Sequence, residues 1–331
     1  MEIAYSVIDP SKVKRSADER AWSREAGSVA YSGARRLFIA ARFQSTMPLK
    51  LGIGITTYNR CGSLEACTSR VRQLTPEPFS FVVADDGSSD GTVAMCAREQ
   101  VLCITGENRG IAWNKNRALF FLHRILDCDV IILLEDDCYP NDFGWHYEWI
   151  KATEKWGHVN FGGNWLRKHF LSGNGAVTDP FLSMSVSGQC VAFSRRALSV
   201  CGFFDSRFKS YGYEHAEHSS RLVRAGFGGE TRPGKRGKSV PCYYLLAANL
   251  TMLGAPSYRN EESLGSNWDA WKKMRRDPIY RHPWRTREEF RQFRGEINAA
   301  TRCANLSRTR RMILRAKWAR WRWASGSRLG D

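Results

Sequence analysis

The chain has 331 residues, room for one large domain or two ordinary ones at about 150 residues each, and enough to bury a substantial core. Its 43% hydrophobic and 25% charged residues are ordinary globular composition, which excludes disorder, collagen and coiled coil as descriptions of the whole. No apolar run approaches the ~18 residues that cross a bilayer; the best is Val130–Leu134.

The opening residues, MEIAYSVIDPSKVKR, lack the apolar stretch of a secretory signal. Residues 1–47 are polar and weakly patterned and read as an extension before the domain proper. At Lys50 the texture changes. LGIGITTY (51–58), FSFVVADD (79–86), VLCIT (101–105) and DVIILLEDD (129–137) are short runs rich in Ile and Val that end in polar residues. Such runs read as strands buried on both faces. Between them lie helical stretches at Gly62–Leu74, Asp90–Gln100 and Gly110–Leu126. Strand–helix alternation at this spacing predicts βαβ units, a mainly parallel sheet and helices on both faces.

The second half is less regular. SMSVSGQCVAF (183–193) predicts a strand leading into a helix at Ser194–Val200, and Glu214–Ala225 a further helix. Residues 48–255 therefore read as the main domain and 256–331 as a separate Trp- and Arg-rich segment. From Ala270 onward there are 18 basic and 5 acidic residues, a net +13 of the chain's +17. That basicity points to an anionic partner or surface, met through residues 270–331. In TRRMILRAKWARWRW (309–323), Leu314, Trp318 and Trp321 share one helical face, with Arg311, Arg315 and Arg322 on other sides. This helix could lie on an anionic membrane, stack on nucleic-acid bases, or pack its Trp face against the domain.

Ten cysteines form no CxxC pair, so zinc is not indicated, and a reduced cytoplasmic protein is expected, with peripheral membrane contact left to the tail. The sequons at Asn249 and Asn305 are then chance matches. Gly52-x-Gly54 lacks the third glycine of a dinucleotide fingerprint, and Gly237-Lys238-Ser239 lacks the first glycine of a phosphate loop.

In an open parallel sheet, ligands bind at the carboxyl ends of the strands. There the sequence places Thr56–Arg60, Asp85–Ser89 and Glu135–Asp137. Three adjacent carboxylates are unfavourable without a cation among them, and they suit Mg2+ or Mn2+ bridging phosphate oxygens. A solvated turn is the plainer reading of that triplet. Asp85 and Asp86 lie directly at a strand end, where a carboxylate can accept from a nucleobase edge or a ribose hydroxyl.

TTYNR (56–60), VVADDGSSDGT (82–92), NRGIAWNKN (108–116), ILLEDD (132–137) and the block GQCVAFSRRALSVCGFFDSRFKSYGYEHAEHSSRLVRAGF (188–227) occur in the order seen in family 2-like glycosyltransferases of the GT-A fold. The chain resembles that family over about residues 50–230. The resemblance implies an α/β GT-A fold and metal-dependent transfer from a nucleotide sugar, a UDP-sugar, to an acceptor hydroxyl with inversion. It implies that Thr56, Tyr58, Asp85 and Asp86 hold the nucleotide base, Asp86 most directly. Asn108, Gly110, Lys115 and Asn116 would lie beside the nucleotide, Asp136 would meet the ribose, and Asp137, with Glu135, the metal. His215 stands where the family usually has its general base. Glu214 is the rival for that role, and Glu217 lies in the same motif. The acceptor, whether glycan, lipid, protein or modified nucleic acid, is not implied. An inactive scaffold that binds nucleic acid or membrane is the alternative.

Overall fold

A computed structural model describes residues 49–210, 212–234, 238–253, 261–274, 277–304, 312, 314–319 and 321. The expected N-terminal extension lies outside them, as do Gly237, Asn305, Arg311 and Arg322. Leu49–Asp331 form one compact unit.

The first half follows the predicted alternation closely. It runs β1 (Leu51–Thr57), α1 (Cys61–Leu74), β2 (Ser80–Asp85), α2 (Thr92–Arg98), β3 (Leu102–Thr105), α3 (Ile111–Phe120) and β4 (Val130–Glu135). A π-helical turn, Phe121–Ile125, extends α3 to nearly its predicted length. Then come β5 (Cys138–Pro140), α4 (His146–Trp156), β6 (His158–Phe161), a 3₁₀ turn (Asn164–His169), β7 (Phe170–Ser172), β8 (Phe181–Ser183), β9 (Cys190–Ser194), α5 (Arg195–Cys201) and α6 (Glu214–Arg224). The chain continues through β10 (Gly229–Pro233), β11 (Ser239–Leu246), β12 (Leu250–Met252), α7 (Glu261–Met274) and α8 (Arg287–Cys303).

The main sheet has the order β3-β2-β1-β4-β9-β6-β11-β8-β7, with β10 beside β11. β1 to β4 pair in parallel, while β9 runs antiparallel between β4 and β6. The carboxyl ends of β1, β2, β4 and β6 consequently share one rim. β5 and β12 form a separate ribbon just beyond the acidic triplet, where the sequence reads as a plain turn.

Alternation along the strands sends side chains to two cores. Ile53, Ile55, Val83, Ile132 and Leu134 pack against α1, α2 and α4. Val82, Ala84, Ile131 and Leu133 pack against α3, α5, α6 and α8. Gly54 allows α3 to close on the sheet: a Cβ there would lie 2.7 Å from Leu133 and 3.1 Å from Ala118. Close packing, and not a ligand, accounts for this glycine.

The C-terminal helices belong to the second core. Phe290, Phe293, Ile297 and Ala300 of α8 are buried in it, as are Leu314 and Trp318. The Trp318 ring stacks on Phe120 at 5.3 Å. Its neighbours Trp284 and Phe290 lie at 6.0 and 5.7 Å. The predicted amphipathic face is real, but it is spent on the domain. The indole of Trp318 is not available to a membrane or a base, while Arg315 remains on the exposed side. Arg281 reaches Asp205 at 3.0 Å, and Arg207 bridges Asp205 and Asp277 at 2.6 Å each, so ion pairs also bind this segment to the rest.

Trp318→Ala should therefore cost about 3–5 kcal/mol in urea denaturation, the range for a buried aromatic truncation. A loss below about 0.5 kcal/mol, as for a surface site, would mean the helix does not pack this way. The buried histidines set a pH dependence. Burial pushes His158 down to about 4 and His123 to about 3, with neighbouring arginines adding to the shift at His123. Folded pKa values below unfolded ones mean that the unfolded chain binds more protons in this window. Stability should be fully present above about pH 6.5 and fall as pH drops toward 4. A melting temperature flat from pH 7 to 4 would contradict this.

Candidate active site

The rim gathers three ionic groupings. At the end of β4, Asp136 accepts from Thr57 Oγ1 at 2.6 Å and from Arg60 Nη1 at 3.2 Å. The same Arg60 nitrogen reaches Asp137 at 3.0 Å. Burial, opposed by Thr57 and Arg60, raises the Asp136 carboxyl to about 6, and Asp137 and Glu135 add to the rise. Burial, then Glu135, also raises Asp137. Asp137 Oδ1 is buried and has no hydrogen-bond partner among the described residues.

Lys115, buried on α3, forms the second grouping. Its Nζ donates to Glu135 Oε1 at 2.6 Å and to the Gly188 carbonyl at 3.1 Å, and meets His215 Nε2. With an ammonium on that nitrogen, the imidazole is held as the Nδ1–H tautomer. Burial and then Lys115 push His215 well below the ordinary histidine range, so the ring is neutral. Glu214 begins α6 and accepts from the Gly212 N–H at 2.9 Å. Burial raises its carboxyl, while Lys115 pulls it down. The structure thus joins Glu135, Lys115, Glu214 and His215 in one cluster.

Glu217 belongs elsewhere. It pairs at 2.7 Å with buried Arg221, which also donates to the carbonyls of Cys201, Phe203 and Ile279. This is an internal strut.

The third grouping surrounds Asp86. It accepts from the N–H groups of Arg109 at 3.0 Å and Gly110 at 2.8 Å, and from Arg117 Nη1 at 2.9 Å. Burial raises its carboxyl against those donors. Arg117 is fully buried and also donates to Glu296 of α8 at 3.0 and 3.2 Å, to the Asp85 carbonyl at 3.0 Å and to the Glu107 carbonyl at 2.8 Å. Trp113 Nε1 adds a bond to Glu296 at 3.1 Å. Asp86 therefore fixes the turn before α3. Gly110 in that turn has φ 86°, and a Cβ would run into the Lys209 carbonyl. Asp85 is likewise occupied, by Ser88 and by Thr105 Oγ1 at 2.6 Å.

The remaining expected residues divide between structure and rim. Thr56 Oγ1 turns to the Leu134 carbonyl at 3.4 Å. Asn116 clasps the Phe204 backbone at 2.9 Å in both directions. Tyr58 and Asn108 are exposed at the strand-end rim. Sequence reasoning gave no role to Arg60, Arg117 or Glu296. Arg60 sat in a quoted motif, whereas Glu296 carried no signal beyond its place on an amphipathic helix.

Among the described residues, no group of three or more His, Cys, Asp or Glu side chains could hold a metal. Mg2+-type sites, however, commonly use one or two carboxylates plus substrate phosphates. The orphaned Asp137 Oδ1 fits that arrangement, with Glu135 beside it.

Glu296→Gln keeps the shape of the Arg117 network but removes one charge. It should cost about 1–3 kcal/mol, as a lost charged hydrogen bond does. Amide exchange should quicken at Arg109 and Gly110, whose N–H groups depend on Asp86. Unchanged protection there would show that α8 does not hold this turn.

Comparison with known proteins bears on this geometry. Residues 53–199 match the family described as glycosyl transferase family 2. No curated protein matches the sequence. Among solved structures, GalNAc-T7 with UDP, GalNAc and Mn2+ is similar at 13% identity and TM-score 0.50, over 70% of this chain and 49% of that one. This chain thus spans about half of that protein. A mannosyltransferase from Pyrobaculum calidifontis, solved with GDP-Man and Mn2+, is similar at 16% identity and TM-score 0.47, over 85% and 84%. Glucosyl-3-phosphoglycerate synthase from Mycobacterium tuberculosis reaches 12% and 0.39, over 68% and 77%. The first of these likenesses bears on the fold alone, and it agrees with the α/β sheet order and the strand-end rim. The region from β1 into α5 thus matches glycosyl transferase family 2, in a chain whose sheet order agrees with the α/β GT-A fold.

Proposed function

We propose that the chain moves a sugar from a nucleotide-sugar donor, a UDP-sugar, to an acceptor hydroxyl by single displacement with inversion, and that Mn2+ or Mg2+ assists. The observation that carries this reading is the buried acid pair ending β4, in which Asp137 Oδ1 has no partner although Arg60 serves both carboxylates. An unsatisfied buried carboxylate oxygen calls for a cation. When bound, the ion would neutralise charge on the departing diphosphate. The UDP preference has one support outside the sequence, the UDP in the GalNAc-T7 structure.

The chain's own groups have distinct tasks in this scheme. Asp137 and Glu135 face the diphosphate side, and Asp136 is held by Thr57 and Arg60 beside it. Asp86 acts through the turn it fixes, which presents Asn108, with Tyr58 on the neighbouring strand end. The acceptor oxygen attacks the anomeric carbon as the bond to the donor phosphate breaks, and the nucleoside diphosphate leaves. Glu214 takes the acceptor proton. The sequence favoured His215 for this step, but its Nε2 already faces the Lys115 ammonium. A carboxyl raised by burial is better placed for general-base work. Lys115 and His215 then position and electrically balance Glu214.

Radiolabelled nucleotide sugars incubated without acceptor test the donor reading through slow hydrolysis. A UDP-sugar should be hydrolysed only with Mn2+ or Mg2+. Asp137→Ala should lose both hydrolysis and metal-dependent nucleotide binding while remaining folded. Glu214→Gln should keep that binding and lose about 10²–10⁴-fold in kcat. Full metal-dependent binding by Asp137→Ala would remove the metal assignment. A near-normal kcat for Glu214→Gln beside an inactive His215→Ala would return the base to His215.

A further inference from the structure

Trp165 is a large exposed aromatic on the rim that the reaction above does not use. It keeps 45% of its surface open to solvent, on the 3₁₀ turn that follows β6. The ring is not loose. It lies over Gly163, where an added Cβ would run into three of its atoms. Phe161 meets it edge-on at 5.8 Å and 68°. Leu166, next in the chain, is buried and anchors the turn. The indole is thus seated on backbone on one side and open on the other.

Its place in the fold is specific. β6 ends on the same rim as β4, with β9 between them. The Phe161 carbonyl accepts from Ser187 Oγ at 3.2 Å. The next residue, Gly188, accepts from Lys115, and the Gln189 carbonyl accepts from the Glu135 N–H at 2.8 Å. A strut of three residues therefore connects the seat of Trp165 to the acid cluster. The nucleotide-side residues Asp85 and Asp86 lie beyond β1, on the opposite side of β4.

We propose that Trp165 is a stacking platform for a pyranose ring of the acceptor, which makes the acceptor a glycan. This rests on the glycosyl-transfer reading above and names its acceptor. One face of a pyranose is lined by C–H groups and can lie on the electron-rich indole face, while its hydroxyls project outward for bonding and attack. A nucleic acid would also stack, but such sites pair aromatics with a basic groove that tracks the backbone. From Gly157 to Phe193 the chain has two basic residues, Arg167 and Lys168, and one acidic residue, Asp179. A nearly neutral lobe suits an uncharged sugar ring better than a polyanion.

The test uses the full chain with Mn2+, the UDP-sugar it hydrolyses, and a panel of cellotriose, chitotriose, maltotriose and mannotriose. A fifteen-residue oligothymidylate and phosphatidylglycerol vesicles are the competing arms. At least one trisaccharide should accept label. Trp165→Ala should raise its KM by about five- to tenfold, on the scale of one aromatic stacking contact, with acceptor-free hydrolysis unchanged. Trp165→Tyr should recover most of the loss. Gly163→Ala, which keeps the indole but displaces it from its seat, should behave like Trp165→Ala. The proposal is overturned if the chain hydrolyses donor yet labels no trisaccharide, or if transfer ignores Trp165. Trp165-dependent binding of the oligothymidylate or vesicles instead of sugar overturns it equally. If wild type hydrolyses no nucleotide sugar, the donor reading fails first and this inference falls with it.

Discussion

The guanidinium of Arg117 is fully buried, and much of the rim around the ends of β2 and β3 depends on how its charge is met. A buried cation is tolerated only when it is paired and its donors are satisfied. Arg117 meets that condition through two carboxylates, Asp86 and Glu296, and the carbonyls of Asp85 and Glu107. These partners come from the end of β2, the turn before α3 and the C-terminal helix α8. One side chain therefore fixes where strand two ends, how the Asn108–Gly110 turn is shaped, and where α8 docks. The C-terminal segment, for all its basic surface, reaches into the rim through Glu296.

A second electrostatic balance governs the acid cluster. Glu135, Asp136, Asp137 and Glu214 face Lys115 and Arg60. Four carboxylates against two cations leave two negative charges when all are ionised, since His215 is neutral. Burial first, and the neighbouring carboxylates after it, keep Asp136 and Asp137 above the ordinary carboxylate range. Among the described residues this excess equals in size the charge of one divalent ion, which supports the proposed metal assistance.

Much of this was legible in the sequence because the responsible signals are local. The Ile- and Val-rich runs marked β1 to β4 because strands buried on both faces need no alternation, and the carboxylates at their ends followed from strand direction. The later strands β6, β7, β8 and β10 were not legible. They are three to five residues long and are fixed by pairing, β6 with β9 and β11, β8 and β10 with β11, and β7 with β8, which local sequence does not show. The hydrogen-bond partners of Asp86, Asn116 and Glu217 were not legible for a related reason. A motif shows which residues stand at a position but not that Arg117, Phe204 and Arg221 occupy their polar atoms. For the C-terminal helix, the apolar face was visible, and only the core of Phe120, Trp284 and Phe290 shows what it covers.

The central proposal is that Asp137, with Glu135 beside it, would hold a divalent ion only together with the donor diphosphate. Water-proton relaxation of Mn2+ measures this directly, because ions bound to protein enhance relaxation. Titrating the full chain with Mn2+ alone should give weak enhancement, and adding UDP should raise the Mn2+ affinity steeply. Strong Mn2+ binding without UDP, or no gain on adding it, would contradict the account.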